Sequence, residues 1–119
     1  YKDTQRYEDS EKMYLSAMEI RRRLAVANPQ VYEPDLATTQ YNLGCLYSDT
    51  RCYGDSEEMF LSAMEIRRRL AAANPQVYEP DLAMVQNNLG ILYKDTQRYE
   101  ESEKMYLSAM EIYRRLAAV

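Results

Sequence analysis

Hydrophobic residues recur at steps of three and four along most of the chain, which is the spacing of one buried stripe on an α-helix. One such stripe comprises Leu82, Val85, Leu89, Leu92 and Tyr93. It follows Pro80, which fits the first turn of a helix because its missing N–H would have no partner there. A second stripe comprises Tyr99, Ser102, Tyr106, Ala109, Ile112 and Leu116. The pattern breaks between the two stripes, near Thr96, and therefore predicts a helical hairpin.

This pattern repeats with a period of 46 residues. Residues 1–46 and 47–92 differ at only 11 positions, and a third copy stops after 27 residues. Because the residue before a proline is pushed out of helical geometry, we expect the second helix to end near Asn74 and residues 75–79 to form a linker. The period predicts five helices, at about residues 7–27, 34–50, 53–73, 80–96 and 99–118.

A single hairpin of this kind cannot bury its apolar face, so such units are stable when each covers its neighbour. The sequence therefore predicts an all-α fold, a right-handed α–α superhelix (alpha solenoid) built from helical hairpins. We expect one domain over residues 1–119. It would comprise the second helix of one repeat at 1–33 and full repeats at 34–79 and 80–119.

The residues at the helix contacts recur in register. In the later copy they are Leu89-Gly90, Tyr93, Tyr99, Ser102, Tyr106 and Ala109, and in the earlier copy Leu43-Gly44, Tyr47, Tyr53, Ser56, Phe60 and Ala63. With these spacings the chain resembles the tetratricopeptide repeat family. The family's usual period is about 34 residues, so the longer unit is similar to the extended class of kinesin light chain repeats. Gln40 and Gln86 stand where the family often has Trp, and Ser56 and Ser102 replace its usual Ala.

Composition excludes most enzymatic and nucleic-acid functions. The chain has no histidine, the commonest general base and metal ligand, and we expect no catalytic residue, metal or cofactor. A net charge of −4 argues against a general nucleic-acid binder. The chain contains no apolar run of about 18 residues, so we expect no membrane span. Cys45 and Cys52 do not make a disulfide framework, which favours free thiols in a reducing compartment, the cytoplasm.

Arginines cluster in the last turns of the predicted second helices, at Arg21-Arg22-Arg23, Arg67-Arg68-Arg69 and Arg114-Arg115. Stacked hairpins could align these clusters into a phosphate-binding ridge. The favoured interpretation is structural, because cations complement the negative end of a helix and pair with carboxylates four residues earlier. Glu19 with Arg23 and Glu65 with Arg69 have this spacing. We therefore expect the ridge to be solvated.

One face of the first helix differs between the two full repeats. Five positions differ there, and four of them, Thr38/Met84, Tyr41/Asn87, Cys45/Ile91 and Ser48/Lys94, fall on one helical stripe. The fifth, Thr39/Val85, lies off it. The stripe of both repeats comprises Thr38, Tyr41, Asn42, Cys45, Ser48, Asp49, Met84, Asn87, Asn88, Ile91, Lys94 and Asp95. The family resemblance implies that this stripe lines a concave groove, in which Asn42 and Asn88 bind the backbone of a peptide. Substitution tolerated on any exposed face is the alternative explanation.

The sequence thus predicts a non-catalytic scaffold that binds a protein or an extended peptide segment. The alternative is an architectural segment that forms a homodimer through its exposed terminal helices, residues 7–27 and 99–118. RNA binding by a helical repeat is a third interpretation. It is disfavoured because Lys94 is the sole cation on the stripe, and the same shortage disfavours capture of a terminal carboxylate.

Overall fold

The computed structural model describes the backbone of residues 2–118 and the side chains of residues 4–118. This part of the chain forms five α-helices and no strand, which confirms the predicted all-α class. The helices are α1 (Lys2–Ala27), α2 (Pro29–Asp49), α3 (Tyr53–Ala73), α4 (Pro75–Asp95) and α5 (Tyr99–Ala117).

The predicted start of the first helix of each repeat was wrong. Helix α4 begins at Pro75, not at Pro80, so residues 75–79 are helical and not a linker. Pro75 takes the first helical position and Asn74 before it is extended (φ −145°), as expected for a residue that precedes proline. Pro80 lies one turn further on, where its missing N–H forfeits a single backbone hydrogen bond. Helix α2 likewise begins at Pro29 and contains Pro34.

The other helix bounds lie close to those predicted. Helix α3 has the predicted bounds, and α2, α4 and α5 each end one residue early. Helix α1 begins at Lys2, five residues before the predicted start at Tyr7. The hydrophobic pattern missed this first turn because residues 2–6 are all polar and add nothing to an apolar stripe.

The same tight turn closes both hairpins. Arg51 (φ 63°) and Gln97 (φ 64°) adopt the left-handed conformation at the turn. The N–H of Cys52 then donates to the Tyr47 carbonyl at 2.7 Å, and that of Arg98 to the Tyr93 carbonyl at 2.7 Å. These bonds satisfy carbonyls that the ends of α2 and α4 leave unpaired, in the manner of a Schellman motif.

The chain divides into two compact units, one ending at Ala63 and the other beginning at Met64. Unit 1 contains α1, α2 and the first half of α3. Its core includes Leu36, Ala37, Leu43, Phe60 and Ala63. The hydroxyl of Ser56 donates to the Gly44 carbonyl at 2.7 Å, and a Cβ on Gly44 would lie 2.6 Å from the Phe60 ring. Glycine therefore permits the close approach of α2 and α3 in this unit.

Unit 2 contains the second half of α3, α4 and α5. Its core includes Leu82, Val85, Leu89, Ala109 and Ile112. Ser102 repeats the hydroxyl contact of unit 1, donating to the Gly90 carbonyl at 2.8 Å. A Cβ on Gly90 would lie 2.8 Å from the Tyr106 ring. Each unit thus holds one helix pair by the same Ser–Gly contact.

Candidate protein-binding surfaces

The predicted stripe of unit 1 lies on α2 and is accessible to solvent along its length. Thr38 and Asp49 are exposed, and Tyr41, Asn42, Cys45 and Ser48 are half-buried. The Tyr41 ring packs on Phe60 with centroids 5.8 Å apart. The Thr38 hydroxyl donates to the Pro34 carbonyl at 3.1 Å, four residues earlier in the same helix. The stripe therefore offers polar groups beside one anchored aromatic ring.

A cleft of about 410 Å³ brings three of these stripe residues together, namely Asn42, Cys45 and Asp49. Thr38, Tyr41 and Ser48 lie outside it. Its other wall is mainly α1, through Arg6, Tyr7, Ser10 and Tyr14. Sequence reasoning missed these four side chains as candidate site residues. The repeat pointed to core for three of them, because Tyr7, Ser10 and Tyr14 align with Tyr53, Ser56 and Phe60 at the helix contact of unit 1.

The predicted stripe of unit 2 lies on α4. Met84 and Ile91 are each 38% exposed, Asn87, Lys94 and Asp95 are also exposed, and Asn88 is half-buried. A cleft of about 460 Å³ in this unit lies on a different face, between Glu79, Leu82 and Gln86 of α4 and the side chains of α5. That cleft contains none of the predicted residues.

A second cleft in unit 1, of about 460 Å³, carries acidic side chains. Glu8, Glu11 and Asp55 line it together with Tyr47. The Tyr47 hydroxyl donates to Glu11 Oε2 at 2.7 Å. Burial, and next the hydrogen bond to Glu11, raise the pKa of Tyr47 well above its ordinary value. Tyr47 thus remains a hydrogen-bond donor that ties α2 to α1 at neutral pH.

The arginine clusters divide into two kinds of residue. Arg22 and Arg23 pair with Glu19 at 3.8 and 3.9 Å on the surface, and Arg68 and Arg69 pair with Glu65 in the same way. The pairs of Arg23 with Glu19 and of Arg69 with Glu65 confirm the predicted i,i+4 spacing, and such exposed pairs stabilise a helix by only about 0.3–0.5 kcal/mol each.

The first arginine of the two earlier clusters, Arg21 and Arg67, was wrongly assigned to a solvated ridge. Arg67 is only 4% exposed and donates to the Asp81 carbonyl at 3.1 Å, within unit 2. Arg21 donates to the Asp35 carbonyl at 3.4 Å and to the Thr39 hydroxyl, within unit 1. These guanidiniums therefore link a second helix to the first helix of the following repeat.

Neither a metal site nor a membrane span occurs among the described residues. Among them, no three His, Cys, Asp or Glu side chains are grouped as a metal site would require. None of the helices in the described range is both long and apolar enough to cross a bilayer. Neither Cys45 nor Cys52 forms a disulfide.

Comparison with known proteins places these hairpins in a family. The model of the tetratricopeptide repeat matches residues 36–75 and 82–117. No curated protein matches the chain in sequence. Among solved structures, the chain is similar to BtubC (BKLC) from P. vanneervenii, with 19% identity and a TM-score of 0.57. The match covers 93% of this chain and 58% of that one, and at this identity it shows a shared fold. Since the family match covers most of the sequence, the chain belongs to the tetratricopeptide repeat family.

Proposed function

We propose that the chain is a non-catalytic scaffold that binds protein or extended peptide segments through the exposed stripes of α2 and α4. Tetratricopeptide repeats generally mediate protein–protein interactions and are typically not enzymes. Cys45 and Cys52 form no disulfide, which is consistent with a scaffold in the reducing cytoplasm.

One observation carries this proposal. The repeats differ at five positions of the first helix, and at the four on the stripe the residues of both repeats are exposed or half-buried. The fifth position, Thr39/Val85, is buried in both units. Variation on an accessible face is what a repeated scaffold needs to bind different segments.

The stripes offer three kinds of contact. Asn42 and Asn88 are half-buried amides, which can both donate to and accept from a peptide main chain. Tyr41, Met84 and Ile91 supply apolar surface. The charged residues Asp49, Lys94 and Asp95 would set the charge preference of each stripe. A surface of this size should bind with micromolar or weaker affinity.

The test replaces both asparagines by Ala. Peptides would first be selected from a displayed random library with the unaltered chain, and their affinity then measured by fluorescence polarisation. Because each lost hydrogen bond costs about 0.5–1.5 kcal/mol, we expect the double variant to bind about 5- to 150-fold more weakly. Gln76→Ala, an exposed change outside the stripe, is the matched control. Equal affinity for the folded double variant would refute the mechanism.

The terminal helices favour a second candidate function, self-association into a homodimer. On α5, Met110 and Tyr113 are nearly half exposed, and on α1 Ile20 is 52% exposed. Apolar surface of this kind is typical of an interface. Sedimentation velocity over a concentration series would detect the dimer, and a strict monomer at millimolar concentration would contradict it.

A further inference from the structure

The two hairpin turns carry different residues at one position. Residue 98 is an arginine, and 46 residues earlier the equivalent residue is Cys52. In unit 2, the Arg98 guanidinium lies 4.4 Å from the centroid of the Tyr93 ring, and its Nε donates to Glu101 Oε1 at 2.9 Å. A second guanidinium nitrogen donates to the other oxygen of the same carboxylate. Unit 2 therefore holds a guanidinium against a tyrosine ring and a carboxylate.

Unit 1 has the same ring and carboxylate without the guanidinium. Tyr47 and Asp55 stand at the equivalent positions, and both line the cleft of about 460 Å³ in this unit. The Cys52 thiol lies in the same cleft, 3.6 Å from the Thr50 hydroxyl oxygen. Tyr47 is half-buried, whereas Tyr93 is only 5% exposed. The cleft thus corresponds to the place where unit 2 holds its guanidinium.

A residue inside the sequence, not an end of the chain, leaves this cleft open. Cys52 lies in the turn between α2 and α3, and Arg98 lies in the turn between α4 and α5. The printed contacts of Arg98 with the ring and the carboxylate join α4, this turn and the first turn of α5. The side chain that covers the ring therefore comes from the turn itself, whatever precedes or follows the hairpin.

The walls of the cleft favour a positively charged ligand. Glu8, Glu11 and Asp55 line the cleft, and none of its lining residues in the described range is basic. The Tyr47 hydroxyl donates to Glu11 Oε2 at 2.7 Å, which fixes the ring beside these carboxylates. The cleft therefore combines an anchored aromatic ring with negative charge, as a site for an organic cation does.

The geometry distinguishes between kinds of cation. Within the described range, the carboxylates are not grouped as a metal site would require. A guanidinium is planar, stacks on aromatic rings and can donate to a carboxylate through two nitrogens, whereas a lysine ammonium is a compact point charge. Arg98 shows both contacts in unit 2. An arginine side chain is therefore the ligand that suits the cleft.

We propose that the acidic cleft of unit 1 binds an arginine side chain of a partner protein. This inference rests on the proposed protein-binding function and names one residue of the partner. The guanidinium lies over the Tyr47 ring and donates to Asp55, in the arrangement that Arg98 adopts within unit 2. Glu8 and Glu11 supply further negative charge around it.

The experiment titrates the isotopically labelled full chain with the capped tripeptide acetyl-Gly-Arg-Gly-amide and follows it by NMR spectroscopy. We expect saturable shifts of the backbone amides of Tyr47, Cys52 and Asp55. The dissociation constant should be in the millimolar range, because a single side chain supplies the contact. The same tripeptide with lysine should bind at least about threefold more weakly. A tripeptide with citrulline, which has nearly the same shape and no charge, should bind at least about fivefold more weakly.

Occupying the cleft from within tests the site directly. Cys52→Arg copies the turn of unit 2 and should abolish saturable binding of the arginine tripeptide. The same variant should raise the thermal midpoint of unfolding by about 2–5 °C, because its guanidinium covers the Tyr47 ring. Cys52→Ser is the matched control, since it keeps the size of the residue, and should change the affinity less than about twofold.

A second pair of variants tests the carboxylate. Asp55→Asn should weaken binding of the arginine tripeptide at least about fivefold, because it removes the charged acceptor. Glu58→Gln makes the same change in net charge on the same helix, at an exposed residue outside the cleft. At physiological salt this control should change the affinity less than about twofold.

Four results would overturn the inference. They are no saturable shift with the arginine tripeptide, equal affinity for the citrulline tripeptide, unaltered binding to Cys52→Arg, and an at least about tenfold gain in affinity with Arg6→Gln. The last would identify Arg6, an exposed residue of α1, as the occupant. The double variant at Asn42 and Asn88 should bind the tripeptide normally, because neither residue lines this cleft. Failure of the tripeptide alone would therefore leave the proposed function of the stripes standing.

Discussion

Helices α1 and α5 show how two almost identical sequences acquire different burial. In α5 the side of Ser102, Ala109 and Ile112 is buried, while Met110 is 48% exposed. In α1 the exposure of the equivalent residues is reversed: Met18 is buried and Ile20 is half exposed. Unit 1 covers one side of α1 with α2, and unit 2 covers the other side of α5 with α4. A second helix of this repeat therefore has two contact faces, and its neighbours decide which of them becomes core.

The largest expected effect concerns the isoleucine at the centre of this comparison. Ile112→Ala should lower the free energy of unfolding by about 2–4 kcal/mol, because it leaves a cavity in the core of unit 2. Ile20→Ala, the same change at the equivalent exposed position, should stay within about 0.5 kcal/mol of the unaltered chain. Urea denaturation followed by circular dichroism measures both. Equal losses for the two variants would show that α1 is covered in solution.

The contact between Gly90 and the Tyr106 ring gives a second test of this comparison, and its expected effect on stability is of intermediate size. Gly90→Ala should destabilise the chain by about 1–2 kcal/mol, because overlap with the Tyr106 ring exceeds the gain in helix propensity. Gly54→Ala is the matched control, since a Cβ there has no neighbour within 4 Å. That change should be neutral or stabilise the chain by up to about 1 kcal/mol. A stabilising Gly90→Ala would show that α4 and α5 do not need this close approach.

The smallest expected effect lies at the start of α5. Arg98 stacks on Tyr93 at 4.4 Å and donates a hydrogen bond to Glu101 at 2.9 Å. The residue of α1 that is equivalent to Glu101 is Asp9. It lies inside the helix and accepts a hydrogen bond from Gln5 at 3.0 Å. The hydrogen bond from Arg98 holds the pKa of Glu101 below its usual value. The stabilisation that the Arg98–Glu101 pair gives to the folded chain is therefore present above the unfolded pKa of about 4.3 and is lost as pH falls through the folded pKa.

Glu101→Gln should consequently lower the urea midpoint slightly at pH 7, and the difference from the unaltered chain should vanish in acid. Urea titrations at pH 7 and pH 3 measure this change. Glu100→Gln removes a carboxylate from the same first turn and separates the ion pair from the effect of the helix dipole. A difference that persists at pH 3 would contradict the role of the ion pair.

Most of the fold was predictable because it depends on residues close together in sequence. The period identified all five helices of the described range, and the ends of α3 were correct because proline and the turn residues act locally. The starts of α2 and α4 were wrong, because a pattern cannot show whether a helix tolerates a proline one turn inside its start. Pro34 and Pro80 each lie one turn inside the helix, where the missing N–H forfeits a single backbone hydrogen bond.

The candidate sites were predictable only in part. The exposed stripe followed from differences between repeats, which mark residues that packing does not constrain. The α1 wall of the 410 Å³ cleft did not follow, since Ser10 and Tyr14 match residues that are core or near-core in the other repeats. Arg67 was misjudged for the converse reason, because a charged side chain that reaches a carbonyl of the next helix resembles a surface cation in sequence.

By itself, the amino-acid sequence determined the helices, their hairpin turns and their membership in a repeat family, because those features depend on contacts within a few residues. The tertiary structure alone decided which copy of a repeated residue is buried. Ile20 and Ile112 have the same neighbours in sequence, and burial depends on whether a separate helix removes the side chain from water. That physical difference turns one copy into core and leaves the other half exposed to solvent.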